Sequence, residues 1–454
     1  MVNFSDLNFI FRFLPVFLIA FFLTPIKFRT WTLLFGSLLF YAMGDLRMLP
    51  ALAGAVIVNF LFARAQDGEK SKSLLLFILA IDFGMLAEFK ILSQFVDNRL
   101  MPVGISFYLF KMISYQMDVY RGKISGDESF VNVAAYFCMF PQIVSGPIMR
   151  YEKFKDNPFV QGKSQGRFSV FTMIEDGLRY FVLGLALKVL IADHLAMLWK
   201  DIGTIGYESI STPLAWLGAY AYTMELYFDF WGYSLMAAGI GVMLGFPFIT
   251  NFDQPYGSGS VSEFYRRWHA TLGSWFRDYI YFPLGGSRKG SFRTVLNLFV
   301  VWVVTGFWHG ITLNFILWGV ILFVIIVLEK FVVFGKMPAA VGRIIGRFNV
   351  FVLIPLTWVV FAINDFGMLG EYFSRLFPFF GQGTNVNDRD FIKNLGIYWM
   401  ILVPGVLLLI PRVYEFWENH RNHPVFNILW IILFWGCVYS IAGSAGNPFM
   451  YFRC

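Results

Sequence analysis

Residues 300–319 read VVWVVTGFWHGITLNFILWG, and His309 is the only ionisable side chain among them. A helix needs about 20 mostly apolar residues to cross a bilayer. The apolar sequence extends on both sides and divides into two such segments, 294–312 and 313–334. This part of the chain therefore predicts two consecutive membrane-spanning helices with a histidine in apolar surroundings.

The composition of the whole chain extends this prediction. Of 454 residues, 57% are hydrophobic, 20% are aromatic and 14% are charged, whereas soluble domains average about 25% charged residues. One soluble core could not hide so much apolar surface, so the excess must face lipid. This composition excludes a soluble globular enzyme, a disordered chain, a collagen-like chain and a disulfide scaffold.

Similar apolar segments recur along the chain. They predict an all-α polytopic membrane protein with about 10 to 13 transmembrane and re-entrant helices. The further segments lie near residues 7–24, 30–44, 48–65, 73–95, 101–120, 130–148, 168–192, 211–230, 233–250, 347–364, 394–411 and 425–443.

Two basic stretches interrupt the apolar pattern. Residues 150–167 carry a basic excess typical of a cytoplasmic loop. Residues 263–293 are also basic, but aromatic residues alternate with the charges, as in helices lying at the membrane surface or dipping into it. The net charge of +7 is thus explained by lipid headgroups and membrane orientation, and no nucleic-acid partner is expected.

The five histidines have different surroundings. An ionisable side chain inside a membrane segment indicates function by default, so His309 is the first catalytic candidate. The alternative is a neutral imidazole bonded to a carbonyl or to Asn314. The surroundings of His269 are equally consistent with a histidine at the membrane interface and with a catalytic or positioning histidine. His194, His420 and His423 are interpreted as surface histidines, and no cysteine or histidine spacing predicts a metal site or a bound cofactor.

Other polar residues leave two interpretations open. Lys111, Asp118, Glu225 and Asp229 lie in apolar segments, where they either form salt bridges between helices or line a substrate tunnel. Arg288 and Lys289, in the sequence GGSRKGSF, fit either membrane anchoring or contact with donor phosphates.

A neutral imidazole can remove a proton from an attacking hydroxyl, which suits acyl transfer. Because no G-x-S-x-G elbow occurs, direct transfer is preferred to a serine-based hydrolase mechanism.

Six blocks of sequence resemble the membrane-bound O-acyltransferase family, in the branch that acetylates alginate and transfers D-alanine to teichoic acids. The RRWH block of 266–269 and the FWHG block of 307–310 are the most specific. The chain departs from the branch at Trp231, Leu235 and Lys111, the last of which stands where glutamine is common. The blocks are FRTWTLLFGSLLFYAMGDLRML (28–49), PVGISFYLFKMISYQMDVYRGK (102–123), FPQIVSGPIMRYEKF (140–154), YFDFWGYSLMAAGIGVMLGFPFITNFDQPY (227–256), EFYRRWHATLGSWFRDYIYFPLGGSRKG (263–290) and TGFWHGITLNFILWG (305–319).

The resemblance implies a single membrane domain over 1–454, in which a ring of helices surrounds a central funnel. It implies that His309 is the family's catalytic histidine. It also implies that His269 occupies the second polar position of the family's site, which is less uniformly essential. The acyltransferase core would cover 28–319 with a re-entrant region at 263–293, followed by carboxy-terminal helices at 320–448 and an aromatic tail at 449–454. Weaker candidates for donor binding or the tunnel are Arg266, Arg267, Arg277, Asp278, Arg288, Lys289, Asn314 and Asp229.

The tail GNPFMYFRC resembles the aromatic carboxy-terminal motif of this branch, in which a tyrosine carries the acyl group to an extracytoplasmic transferase. Tyr451 would be that carrier; its alternative role is that of an aromatic residue at the membrane interface.

The function expected from this resemblance is transfer of an acetyl group from acetyl-CoA, across the cell membrane, to an exported or cell-surface polysaccharide. The alternatives are D-alanyl transfer from an acyl carrier protein and, in a different class, a transporter or polysaccharide exporter. A transporter would favour inverted repeats, and none is visible in the sequence.

Overall fold

The computed structural model describes residues 3–163, 166–379, 386–387, 389–421 and 423–443. These residues form helices and connecting turns without a β-strand, which confirms the predicted all-α class. The α-helices are α1 (Leu14–Leu23), α2 (Arg29–Asp45), α3 (Leu49–Glu69), α4 (Lys72–Phe95), α5 (Ile105–Tyr120), α6 (Phe130–Cys138), α7 (Phe140–Ile143), α8 (Tyr151–Lys155), α9 (Arg167–Ala186), α10 (Asp193–Ile205), α11 (Thr212–Met243), α12 (Val261–Arg267), α13 (Ala270–Phe276), α14 (Ser291–His309), α15 (Leu313–Leu328), α16 (Phe334–Lys336), α17 (Ala339–Phe348), α18 (Ile354–Ala362), α19 (Phe366–Leu376), α20 (Asp390–Leu408), α21 (Pro411–His420) and α22 (Pro424–Gly443).

Seven helical stretches within the described residues are long and apolar enough to cross a membrane. Most of them are only partly buried by the protein itself, as expected for surfaces that face lipid. The chain is therefore a multi-pass membrane protein. The stretches are Ile26–Asp67, Ser169–Ile205, Ser291–His309, Leu313–Lys336, Ala339–Ala362, Asp390–Leu408 and Pro424–Gly443.

The chain divides into two compact units. Among the described residues, the first unit comprises 3–163, 166–185, 233–250 and 433–443. Its interior contains rings from the amino-terminal helices, and Phe13, Phe17 and Phe40 pack on Phe140 with ring centroids 5.0–5.4 Å apart. Such tilted and edge-to-face pairs bury large apolar area and hold the helices in register.

The second unit comprises the described residues of 186–232 and 251–432, and it contains both candidate histidines. Its α14 and α15 pack closely because glycines replace larger side chains between them. A Cβ at Gly306 would lie 2.7 Å from the carbonyl oxygen of Phe315, and a Cβ at Gly319 would lie 2.5 Å from that of Trp302. Small residues at such contacts let membrane helices approach each other. This packing places the end of α14 beside the start of α15.

A buried carboxylate anchors the basic region in the second unit. The Glu329 side chain is 1% exposed and accepts hydrogen bonds from the backbone N–H of Val261 at 2.9 Å and of Ser262 at 3.3 Å. These N–H groups belong to the first turn of α12, where a negative charge is favoured by the helix dipole. The Asn349 amide also donates to Glu329 at 3.0 Å. Glu329 therefore positions the helix that leads to His269.

Candidate active site

His309 is the last residue of α14, and its ring lies in an aromatic cage. The ring centroid is 4.5 Å from that of Trp308, 5.1 Å from that of Trp318 and 5.0 Å from that of Phe361. The residue is half-buried, whereas its Nδ1 atom is fully buried. The cage holds the imidazole in one orientation and keeps bulk water from much of its surface.

Asn314 has a structural role beside this cage. Its amide donates to the carbonyl oxygens of Phe361 at 3.1 Å and Val360 at 3.4 Å, and its oxygen accepts from the Thr312 hydroxyl at 2.6 Å. Asn314 is fully buried and thereby connects the start of α15 to the end of α18. It fixes the helix that supplies Phe361 to the cage, a contribution that the sequence analysis did not distinguish from donor binding.

His269 lies between α12 and α13 with a left-handed backbone, at φ 44°. This conformation is uncommon for a residue with a side chain and is found disproportionately at functional sites. The ring is buried, and its Nδ1 lies 3.0 Å from Oδ1 of Asn251. The strained turn therefore aims the His269 ring at the segment that precedes α12.

The neighbours of Asn251 determine which nitrogen of His269 carries the proton. Thr271 donates to Oδ1 of Asn251 through its hydroxyl at 2.7 Å and its backbone N–H at 3.2 Å. A reversed amide would place an N–H group against the Thr271 N–H, so the oxygen must face Thr271 and His269. Since this oxygen can only accept, Nδ1 of His269 is the donor and Nε2 is the acceptor nitrogen.

The structure brings the two histidines into one aromatic cluster. Trp308 contacts both rings, with centroids 6.4 Å from His269 and 4.5 Å from His309. A second series of rings leads from Trp268, the residue before His269, through Trp358 and Trp318 to His309, with successive centroids 5.1, 5.6 and 5.1 Å apart. The RRWH and FWHG blocks thus form one site although they are distant in sequence.

Burial lowers the pKa of His269 to about 3, below its ordinary value of about 6.5. Between these values the unfolded chain binds a proton that the folded protein does not bind. Stability should therefore fall as the pH falls below about 6.5. Between pH 7 and pH 5 the expected loss is about 2 kcal/mol, measured by thermal unfolding in detergent across this range.

A His269→Asn variant, whose amide can still donate to Asn251, should lose less stability over the same pH range. His420→Asn is the matched control, because His420 is exposed, and it should retain the wild-type acid dependence. Equal acid sensitivity of the wild-type and His269→Asn proteins would contradict a buried neutral His269.

The basic candidates within residues 263–293 differ in their surroundings. Arg267 pairs with Glu263 at 2.7 Å, and Arg277 pairs with Asp278 at 3.0 Å. Three other candidates have exposed side chains, as contact with a soluble anion or a lipid headgroup requires: Arg266, Arg288 and Lys289.

Asp229 lies in a buried ionic cluster of the second unit. Its carboxylate is 2.9 Å from the Lys188 ammonium, and Asp193 is 2.5 Å from the same ammonium. Glu225, one turn earlier on α11, is also buried. The salt bridge expected as one interpretation of Asp229 is therefore present. Sequence reasoning missed Lys188, because the π-helical turn at Leu187–Ala192 that places it is not visible in the apolar pattern.

The carrier candidate Tyr451 lies outside the described residues, as does the rest of the tail motif.

Comparison with known proteins identifies the family. Residues 90–340 match the model of the membrane-bound O-acyltransferase family. The chain is 31% identical to a probable alginate O-acetylase of Pseudomonas putida, over 99% of both chains. It is 30% identical to the peptidoglycan O-acetyltransferase of Helicobacter pylori, over 79% of this chain and 76% of the relative. A teichoic acid D-alanyltransferase of Bacillus subtilis is 29% identical over 49% and 57% of the two chains.

The family model and these relatives agree on one class of protein. The chain belongs to the membrane-bound O-acyltransferase family and is a multi-pass membrane O-acyltransferase.

Proposed function

We propose that the protein transfers an acetyl group from acetyl-CoA, at the cytoplasmic side of the cell membrane, toward hydroxyl groups of an exported or cell-surface polysaccharide. The aromatic site that contains His309 and His269 is the observation that carries this proposal. Relatives named as alginate and peptidoglycan acetylases, which align with more of the chain than the D-alanyltransferase does, support acetyl over D-alanyl transfer.

His309 acts as the general base. Its imidazole takes the proton of the acceptor hydroxyl while the hydroxyl oxygen attacks the thioester carbonyl. The carbon–sulfur bond then breaks, and the leaving thiolate takes the proton back from the imidazolium, so that an ester and a free thiol are formed. The aromatic cage keeps water from competing with the acceptor hydroxyl.

His269 is the second polar group of the reaction. Asn251 and Thr271 hold it as the tautomer whose Nε2 accepts a hydrogen bond. That nitrogen suits an acceptor hydroxyl or an ordered water beside the reacting atoms. Its lowered pKa keeps the ring neutral at working pH, so His269 contributes hydrogen bonding and not a positive charge.

Exposed cations of the re-entrant region provide the donor side. Arg266, Arg288 and Lys289 have exposed side chains, which supports contact with the phosphates of a soluble nucleotide thioester. The membrane surface is the other anion that these side chains suit. The proposal also includes a separate extracytoplasmic acyltransferase, which would take the acetyl group from Tyr451.

Labelled acetyl-CoA tests the donor and the carrier together. Membranes that contain the wild-type chain should acquire label as an ester in the carboxy-terminal peptide, identified by mass spectrometry. Tyr451→Phe should remove nearly all of this label, because phenylalanine has no hydroxyl to esterify.

Tyr439→Phe is the control, since Tyr439 is an exposed tyrosine of the last described helix. It should leave the labelling unchanged. Undiminished labelling of Tyr451→Phe would argue against the carrier role. Labelling from a D-alanyl carrier protein, and not from acetyl-CoA, would replace the proposed donor by the alternative one.

A further inference from the structure

A groove in the first unit runs between α1 and α2. Its volume is about 970 Å³. The rings of Phe13 and Phe17 form its floor, where both residues are buried and their parallel rings have centroids 6.0 Å apart. A Cβ at Gly36 would lie 2.3 Å from the Phe17 ring, so glycine lets this ring approach α2. The groove is therefore a product of how the two helices pack.

The walls of the groove are apolar and follow one face of each helix. Val16 and Ala20 line it on α1. Phe35 and Leu39 line it on α2. Residues four apart share a face of a helix, so each pair forms a continuous stripe. The exposed fractions of Val16, Phe35 and Leu39 are 57–66%, which leaves both stripes open to acyl chains.

One end of the groove is polar. Asp6, Asn8 and Arg12 line it, at the start of the apolar helix Phe9–Leu23. The Arg12 guanidinium forms no salt bridge or hydrogen bond with the described residues. The Asp6 carboxylate accepts a hydrogen bond from the backbone N–H of Asn8 at 2.7 Å. A cation and an anion thus line the same end of an apolar groove, and a charge in a membrane helix indicates function by default.

The length of the groove fits a phospholipid. From Arg12 to Ala20 a helix rises about 12 Å, at about 1.5 Å per residue. The hydrocarbon of one leaflet is about 15 Å deep, half of the whole core. Charges at one end and apolar walls over this distance match a headgroup and its acyl chain. A small soluble ion would leave the apolar walls without a contact.

The charges at the polar end select the headgroup. Arg12 suits a phosphate diester, which carries one negative charge and accepts charge-assisted hydrogen bonds. The ionised Asp6 can only accept hydrogen bonds, so it suits an ammonium that has N–H donors. Phosphatidylethanolamine carries both groups. Phosphatidylglycerol has no cation for Asp6, and the trimethylammonium of phosphatidylcholine has no N–H.

We propose that the groove between α1 and α2 binds a phosphatidylethanolamine molecule. Its phosphate contacts Arg12, its ammonium contacts Asp6, and one acyl chain lies along the apolar stripes. The binding is selective because each of the other two lipids leaves one protein charge without its partner. An unpaired charge costs more free energy where the dielectric constant is low, as it is at the edge of the hydrocarbon.

Native mass spectrometry of the purified full-length protein tests the proposal. The protein is released from detergent that contains equal amounts of the three lipids. The wild-type protein should retain phosphatidylethanolamine at least about threefold over either other lipid, as expected for one additional hydrogen bond. Arg12→Gln should lower this retention about tenfold, because it removes charge-assisted hydrogen bonds to the phosphate. Asp6→Asn should abolish the preference over phosphatidylglycerol, because asparagine has no charge to match the ammonium.

Arg47→Gln is the matched control. Arg47 is an exposed arginine of the same unit, in the turn Leu46–Met48 after α2, and is not among the residues that line the groove. This variant should keep the full preference. Equal retention of the three lipids by the wild-type protein would overturn the proposal. Wild-type retention of phosphatidylethanolamine by Arg12→Gln would overturn it too. Where Arg12→Gln does not insert, an undiminished preference of Asp6→Asn for phosphatidylethanolamine over phosphatidylglycerol would do so.

Discussion

His309→Ala is expected to reduce polysaccharide O-acylation by at least about a hundredfold, the lower end of what a positioned general base contributes. Alanine cannot accept the proton of the acceptor hydroxyl, and the substitution removes the imidazole that the cage of Trp308, Trp318 and Phe361 surrounds. The measurement is acetyl ester content of the surface polysaccharide, with the amount of inserted protein determined on the same membranes.

His309→Gln separates base catalysis from packing. Glutamine fills much of the same space and forms hydrogen bonds, but it has no nitrogen that titrates near neutral pH. It should be as inactive as the alanine variant and insert at the wild-type level. His420→Ala, at an exposed histidine, should remain active. Wild-type acylation by an inserted His309→Ala protein would refute the proposed mechanism.

Lys188→Met is expected to lower the free energy of unfolding by about 3–5 kcal/mol, as for other buried ion pairs that lose one partner. Lys188 and Asp229 have side-chain exposures of 2% and 3%, and their charged atoms are 2.9 Å apart. Methionine fills the space of the lysine but leaves the Asp229 carboxylate buried without its cation. Unfolding in detergent measures the loss.

A second substitution tests this explanation. Lys188→Met combined with Asp229→Leu should recover much of the stability, because well-packed apolar residues often replace a buried ion pair without loss. Lys200→Met, at an exposed lysine of the adjoining α10, should have little effect. Wild-type stability of Lys188→Met would contradict a structural ion pair. A stable double variant that fails to acylate would instead assign the Lys188–Asp229 pair to the substrate tunnel.

Much of the candidate site could be predicted from local sequence. His309 was identified because it is the only ionisable residue among 20, and the cost of placing a polar group in hydrocarbon makes such a residue informative on its own. His269 remained ambiguous, since a histidine beside two arginines fits an interfacial position equally well. Its neighbours in three dimensions, Asn251 and Trp308, supply the information that the local sequence lacks.

Other contacts depend on groups that are distant along the chain. Asn314 was a candidate for donor binding, but its amide bonds to carbonyl groups at the end of α18. Glu329 anchors the first turn of α12 from 68 residues away. Nothing in the periodicity of either segment specifies such a partner, because a hydrophobic pattern reports which face is buried and not what lies against it.

The sequence alone determined the helical membrane class, the basic, aromatic-rich character of 263–293 and the candidacy of His309, since each follows from how water and lipid treat apolar and charged residues within a single segment. Only the tertiary structure decided the tautomer of His269, the aromatic contact between the two histidines and the cation held by Asp229. These features depend on distances and directions between side chains of different helices. The packing of the helices against each other fixes these distances and directions, and the sequence of a single segment does not specify that packing.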